Sequence, residues 1–384
     1  MSLARFLEEE LRSYPERAAT VCRMVAAAVV TMILVMTLRL PFAFLGVFNA
    51  LVISRERPEW LLRNGFTTIA AIIAAVVYAL AGINLFYDYP VLHFAFLLAS
   101  FYLVFFLKRA FTNDNVAFGF GVIVVVSITF LWDRPYPAKT HLAAMLSLSL
   151  SALLGTMISM IIAWLAFQWD RSGPAGRPDI PARERVFAPD SLADTEHFRF
   201  ALKGCLAGFL CYFFDSSVAW PMIMGACAET CIVTSRPVSL PGSPGRKFFI
   251  SVAALLLGGV ILGMGSNALL LPLVDSITGF TVQFAIVSTL FAWLATSGPE
   301  LSYAGTLGSM AYYFTMFTQF GLNPSLERSG SVVGDIFLAL VVFWLVFDNG
   351  LHGGRTARYP APQPETEGHA AQDDADKAVR AEAA

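Results

Sequence analysis

The sequence predicts an all-α polytopic membrane protein of about twelve transmembrane helices, arranged as two parallel six-helix repeats. Three observations predict this fold. The 384 residues are 57% hydrophobic and 14% charged, whereas a soluble globule carries about 25% charged residues. The apolar residues fall in runs suited to a hydrocarbon core of about 30 Å. Finally, a short element, LPFAFLGVFNALVISRERP from Leu40 to Pro58, is echoed by WPMIMGACAETCIVTSRP from Trp220 to Pro237.

Residues 1–17 read as a cytoplasmic amphipathic segment. Leu3, Phe6, Leu7 and Leu11 lie at helical spacing opposite Glu8, Glu9 and Arg12 until Pro15 stops the pattern. Three Arg, four Glu and a Pro before residue 18 make no signal peptide expected there. Apolar runs then occupy 18–38, 41–54, 66–86, 91–107, 115–131 and 142–168, which form a first membrane repeat over 18–169. Asp170 to Phe198, with Pro174, Pro178, Pro181 and Pro189 among many charges, reads as a cytoplasmic linker over 170–198. Runs recur at 199–214, 219–234, 248–271, 280–296, 301–319 and 331–347, giving a second repeat over 199–348. The stretch 349–384 is rich in Ala, Pro and acids with few large apolar residues, and is expected to be a disordered cytoplasmic tail.

Lysine and arginine accumulate on the cytoplasmic side of short loops. With the N-terminus inside, the outer side keeps only Arg39, Arg134, Lys139 and Arg328 of the 26 Lys and Arg in the chain. One missed span would scramble this asymmetry, so it supports the span count and the sidedness together. Both termini are expected in the cytoplasm. Six spans per half, an even number, make the second half enter the membrane in the same direction as the first, so the repeats are parallel. Arg23 lies as far before Pro41 as Lys203 lies before Pro221, and Arg63 and Arg246 each precede a third span.

The run from Pro41 to Ser54 is 14 residues, or about 21 Å of helix, short of the hydrocarbon thickness. Short or interrupted hydrophobic segments at matching places in two repeats point to a transporter's binding site; the plainer reading is a spanning helix whose ends run into the interface. With Pro41 laid on Pro221, Asn49 falls on Glu229, and Ser54-Arg55 falls one residue short of Ser235-Arg236. Glu229 is the candidate for proton coupling. A carboxylate near the bilayer centre costs about 2.5–3.5 kcal/mol on insertion scales, and desolvation favours its protonated form. A fixed cation such as Lys203 would give Glu229 a structural role instead.

Asn49 cannot titrate; it is a substrate-path candidate or an interhelical hydrogen bonder. Arg23 and Lys203 lie just inside their spans, either snorkelling to the interface or forming an inlet for anions, and Arg55 and Arg236 close the two short elements on the same path. Asp335 and Asp275 are expected in the outer interface, His93 as a packing residue, and Asn267 and Gln283 as polar lining. Gly259 and Gly263 form a GxxxG that permits close helix contact.

Cys22, Cys205, Cys211, Cys227 and Cys231 all fall in apolar runs, so they read as small packing residues rather than a disulfide framework or a metal site. No phosphate-binding loop, no HExxH and no cofactor fingerprint occurs, so no enzyme, no cofactor and no metal is expected. The near-neutral charge gives no sign of a nucleic-acid partner. An intramembrane transferase lacks any acidic pair or nucleophile constellation.

The span carrying Arg23, the element LPFAFLGVFNALVISRERP, Arg63 leading into an Ala/Ile-rich third span, and a second copy over 198–347 resemble the fusaric acid resistance family, which includes aromatic acid exporters of the bacterial inner membrane. The resemblance implies an inner-membrane efflux permease, proton-driven, for hydrophobic or aromatic weak acids and drugs. It also implies a periplasmic adaptor and an outer-membrane channel as partners. Larger members carry an extended cytosolic domain where this chain has only the linker at 170–198. The alternative function is a non-transporting membrane subunit that anchors an adaptor, and a homo-oligomer remains open.

Overall fold

The structure, a computed structural model, describes residues 17–40, 42–86, 88–110, 114–129, 138–170, 195–218, 244–273, 276–317 and 326–349. The segment 2–14, Asp275 and the second short element, with Glu229 and Arg236, lie outside the described residues, as do most of the linker and the tail.

Each described apolar run forms a helix. In the first half these are α1 (Arg17–Thr37), α2 (Ala43–Ile53), α3 (Pro58–Phe86), α4 (Pro90–Ala110), α5 (Asp114–Thr129) and α6 (Ala138–Asp170). The second half has α7 (Thr195–Val218), α8 (Pro244–Leu255), α9 (Ile277–Ala295), α10 (Pro299–Met316) and α11 (Leu326–Trp344). Proline opens α3, α4, α8 and α10, because its fixed φ suits the first turn and its missing N–H is not needed there. Ser276 caps α9, its side chain accepting from the Gly279 N–H at 3.1 Å. Beyond Leu255, α8 continues in wider π-helical turns over Leu256–Met264 and Ser266–Leu270.

Seven helical stretches among the described residues are long and apolar enough to cross a membrane: Arg17–Thr37, Asn64–Phe86, Pro90–Lys108, Leu142–Gln168, Phe248–Leu273, Ile277–Ala295 and Ser329–Phe347. They turn large apolar side chains outward, Phe66, Val77, Phe249, Leu269 and Ile286 among them, a surface that suits lipid. The protein is a polytopic all-α membrane protein.

Other helices are buried among their neighbours. In α2 every residue except Val52 is buried, and α5 is buried from Val116 to Thr129 except at Phe120. In α10 everything from Gly305 to Thr315 is buried. A helix apolar all round belongs in an interior, and one sheathed by protein has no need of a lipid face. This is why α10 tolerates Ser302, Thr306, Ser309 and Thr315.

In the first half α2 packs on α1 and α6, α3 on α5 and α6, and α4 on α5. In the second, α8 with its π-helical continuation packs on α10 and α11, and α9 packs on α10. Among the described residues, two long seams and a shorter contact of α2 with α10 join the halves: α1, which opens the first half, lies on α9, and α7, which opens the second, lies on α4. A rosette of Phe280, Phe284, Tyr312, Tyr313 and Phe317 fills the core between α9 and α10.

Asp335, nine residues into α11, is 2% exposed and lies within the helical packing. The glycines of the second half do permit close helix contact: Gly258 abuts Gly308, Gly263 abuts Thr315 and Gly259 meets Val333.

Candidate functional site

The candidate site is built around α2. Its 11 residues give about 16 Å of helix, roughly half the hydrocarbon thickness. The chain enters it through a tight corner in which Arg39 and Phe42 take left-handed backbone conformations, with φ of 51° and 63°. Such conformations cost about 1–3 kcal/mol each in a non-glycine residue and persist only where the surroundings hold them.

What holds them is a seam with α6. Gly46 and Gly155 touch backbone to backbone: a Cβ on Gly46 would lie 2.5 Å from the Ser151 carbonyl oxygen, and one on Gly155 would run into Gly46. Ser151 Oγ donates to the Phe42 carbonyl at 3.1 Å and accepts from the Gly46 N–H at 3.2 Å, so it serves both sides of the strained corner. Further along, Ser159 Oγ donates to the Ala50 carbonyl at 3.1 Å. Ser151, Gly155 and Ser159 recur every four residues and form one stripe of α6, which lets two backbones approach and supplies their hydrogen bonds.

Asn49 sits on the same seam. It is 1% exposed, and its Nδ2 donates to the Ala152 carbonyl at 2.9 Å and to Thr156 Oγ1 at 2.8 Å. Its Oδ1 is buried and accepts no hydrogen bond from a described residue. Arg23 reaches across from α1 to the other end of α2. Its Nε donates to the Ser54 carbonyl at 3.0 Å and its Nη2 to the Glu56 carbonyl at 2.6 Å, placing a cation where the helix presents its unpaired carbonyls. Arg55, just past α2, donates to Ser302 Oγ of α10 at 3.2 Å. The rings of α2 point to both halves, Phe48 against Phe118 of α5 at 5.7 Å and Phe44 against Phe314 of α10 at 4.1 Å between centroids.

The structure therefore places Asn49 at the middle of α2 and Arg23 and Arg55 at its C-terminal end. Lys203 is half-buried on α7, which packs on α4 and α11. Glu229 and Arg236 lie outside the described residues.

Other residues that shape the site are not apparent in sequence. Arg17, at the start of α1, is fully buried. Its guanidinium donates to the Trp293 carbonyl at 2.7 Å, to Ser297 Oγ at 2.5 Å and to Thr296 Oγ1 at 3.3 Å, and lies 4.1 Å over the Trp293 ring. On the other seam Gly204 and Gly208 of α7 receive Phe105 and Phe101 of α4. The GxxxG spacing of 204–208 is a visible signal for the second contact; nothing in the sequence marks the first. Among the described residues, no group of three or more His, Cys, Asp or Glu comes together to hold a metal ion.

Seven apolar helices long enough to cross a membrane, together with buried helices such as α2, α5 and α10, define a multi-pass α-helical membrane protein. Over part of its length the chain is similar to Multidrug resistance protein MdtO. It is 31% identical to the Escherichia coli (strain K12) protein over 139 residues, 36% of this chain and 20% of that protein. It is 30% identical to the Shigella flexneri protein over 180 residues, 45% of this chain and 26% of that protein. These matches thus span about a quarter or less of the curated relatives. No family model matches the chain, and no solved structure matches it significantly.

Proposed function

We propose that this chain is an efflux permease of the bacterial inner membrane that exports hydrophobic or aromatic weak acids or drugs. Export is coupled to protons, and both termini lie in the cytoplasm. The observation that carries the reading is α2: a short helix with an amide at its middle, sealed between the halves of the bundle. Such a helix is too short to span alone and gains nothing from lipid, so its place in the interior makes sense as part of a central path. The partial likeness to a multidrug resistance protein and the resemblance to the fusaric acid resistance family favour the same reading.

In this reading the halves are six-helix repeats over 18–169 and 199–348, and the run 219–234 supplies the counterpart of α2. The pairing of α1 with α9 and of α7 with α4 is then reciprocal, the first helix of each repeat lying on the fourth of the other. Substrate enters from the cytoplasm, meets Asn49 and Glu229, and leaves as the halves rock. Glu229 carries the proton; Asn49, which does not titrate, contributes only hydrogen bonds. Arg23, Arg55, Lys203 and Arg236 frame the inner mouth.

Glu229→Gln is expected to abolish salicylate-driven proton exchange in proteoliposomes while the protein still inserts. Normal exchange by that variant would remove Glu229 from the mechanism. Transport by the purified chain alone would separate a permease from a subunit that only anchors a periplasmic adaptor and outer-membrane channel; failure without an adaptor would favour the anchor.

A further inference from the structure

We propose that the two seams between the halves do different work: the α1–α9 seam is a latch that opens at the end carrying Arg17 and Arg55, and the α4–α7 seam is a hinge that stays packed. The proposal rests on the transport reading for its purpose, but its geometry is independent of any substrate.

Two tied corners meet at the latch. In the first half, Arg23 binds the end of α2 to α1 through the Ser54 and Glu56 carbonyls, so these two helix ends move together. In the second half, Ser302 Oγ donates to the Ala295 carbonyl, and the Ser302 N–H donates to the Gly298 carbonyl at 2.8 Å. The end of α9 is thereby tied to the start of α10. The polar contacts described between these corners come from two arginines of the first half, Arg17 onto Trp293, Thr296 and Ser297, and Arg55 onto Ser302. Their acceptors are hydroxyls and a helix-end carbonyl, groups that water can satisfy when the corner parts. For these bonds, opening exchanges one set of hydrogen bonds for another, a nearly balanced step.

The other seam is built mainly from rings, with one weak tie in which Cys205 Sγ donates to the Leu98 carbonyl at 3.4 Å. Phe105 and Phe101 of α4 fill the hollows left by Gly204 and Gly208 of α7. Phe106 lies 5.7 Å from Phe198, and Phe105 lies 6.1 Å from Phe200 and 6.4 Å from Phe347. Lys108 and Lys203 are carried by these same two helices, but aromatic packing occupies the contact between them. Parting such a seam leaves hollows and wet apolar surface with no replacement partner. The α1–α9 seam is apolar along most of its length and hydratable at the end carrying Arg17 and Arg55, so the bundle opens at that end and pivots on the ring-packed seam.

The test uses the full chain with Cys22, Cys205, Cys211, Cys227 and Cys231 replaced by alanine. Spin labels at Arg57 and Leu290, both exposed, report on the latch, and labels at Ala99 and Leu202, also exposed, report on the hinge. In lipid nanodiscs without substrate, Arg17→Gln combined with Arg55→Gln is expected to shift the Arg57–Leu290 distances toward a longer population by roughly tenfold or more in ratio. The Ala99–Leu202 distances should keep one unchanged population. Unchanged distances at the latch, or equal shifts at both seams, would overturn the proposal.

A second arm locks each seam. Cysteines at 55 and 302 are bridged by a bifunctional thiol reagent about as long as an arginine side chain. Cysteines at 105 and 204, where a Cβ on Gly204 meets the Phe105 ring, are close enough for a direct disulfide. Bridging the latch should cut ethidium efflux by roughly tenfold or more, while bridging the hinge should leave it within about twofold; the reverse result would overturn the assignment. If the unbridged protein moves no ethidium but the distances behave as expected, the latch stands and the transport reading falls.

Discussion

Arg23 and Asn49 hold α2 by different means, and the difference sets what their loss would cost. Arg23 is a charged donor to two carbonyls at a helix end; Arg23→Gln is expected to lower stability by about 1.5–3 kcal/mol. Asn49→Leu should cost less, about 1 kcal/mol, because Thr156 Oγ1 still donates to the Ala152 carbonyl at 3.0 Å when the amide is gone. Thermal unfolding in detergent would order the two variants, and a larger loss for Asn49→Leu would contradict this account. At this scale the sequence says much about residue types and little about partners. Asn49 is legible as an amide within an apolar run, so interhelical bonding could be anticipated for it. Arg17 reads as a cation ahead of the first span, yet it is buried, because its acceptor Trp293 lies 276 positions away and no local pattern encodes that distance.

Among the elements, α2 and α6 are the pair on which the site depends. A leucine at Gly155 would push its side chain into Gly46, and no rotamer avoids a backbone contact. Gly155→Leu is therefore expected to abolish a monodisperse size-exclusion peak, with Gly46→Leu behaving alike. Val52→Leu, at the one position of α2 that is not fully buried, should leave the peak unchanged. Hydrophobic runs made the helices easy to read: the run 41–54 contains Ala43–Ile53, and 91–107 lies within Pro90–Ala110. Boundaries moved where polar turns extend a helix, as in α3, which starts at Pro58 and not at residue 66 because Glu59, Trp60 and Asn64 continue its first turns. The stripe of Ser151, Gly155 and Ser159 is visible as small residues, but spacing alone does not say which helix it will meet.

For the molecule as a whole, the apolar composition and the scarcity of charge were enough to give a multi-pass helical bundle. They did not distinguish its two seams, since hydropathy counts a phenylalanine packed into a glycine hollow the same as one facing lipid. Reciprocal pairing of α1 with α9 and α7 with α4 is a property of assembled helices, with contacts reaching across most of the chain. The latch and hinge belong to this scale also: removing the arginines at one seam should alter the distances there and leave the ring-packed seam unmoved.

The burial of α2 also constrains how the chain is made. Its grip comes from Ser151, Ala152, Thr156 and Ser159 of α6, which leave the ribosome about a hundred residues after α2 does. Through that interval the nascent chain has a half-length apolar segment with a strained corner, packed on α1 but lacking α6. Chains ended after Ala110 should therefore be cleared by membrane proteases much faster than chains ended after Asp170, as pulse-chase labelling would measure. A quality-control system that waits for α6 before judging the first half would be reading the same seam from the other side.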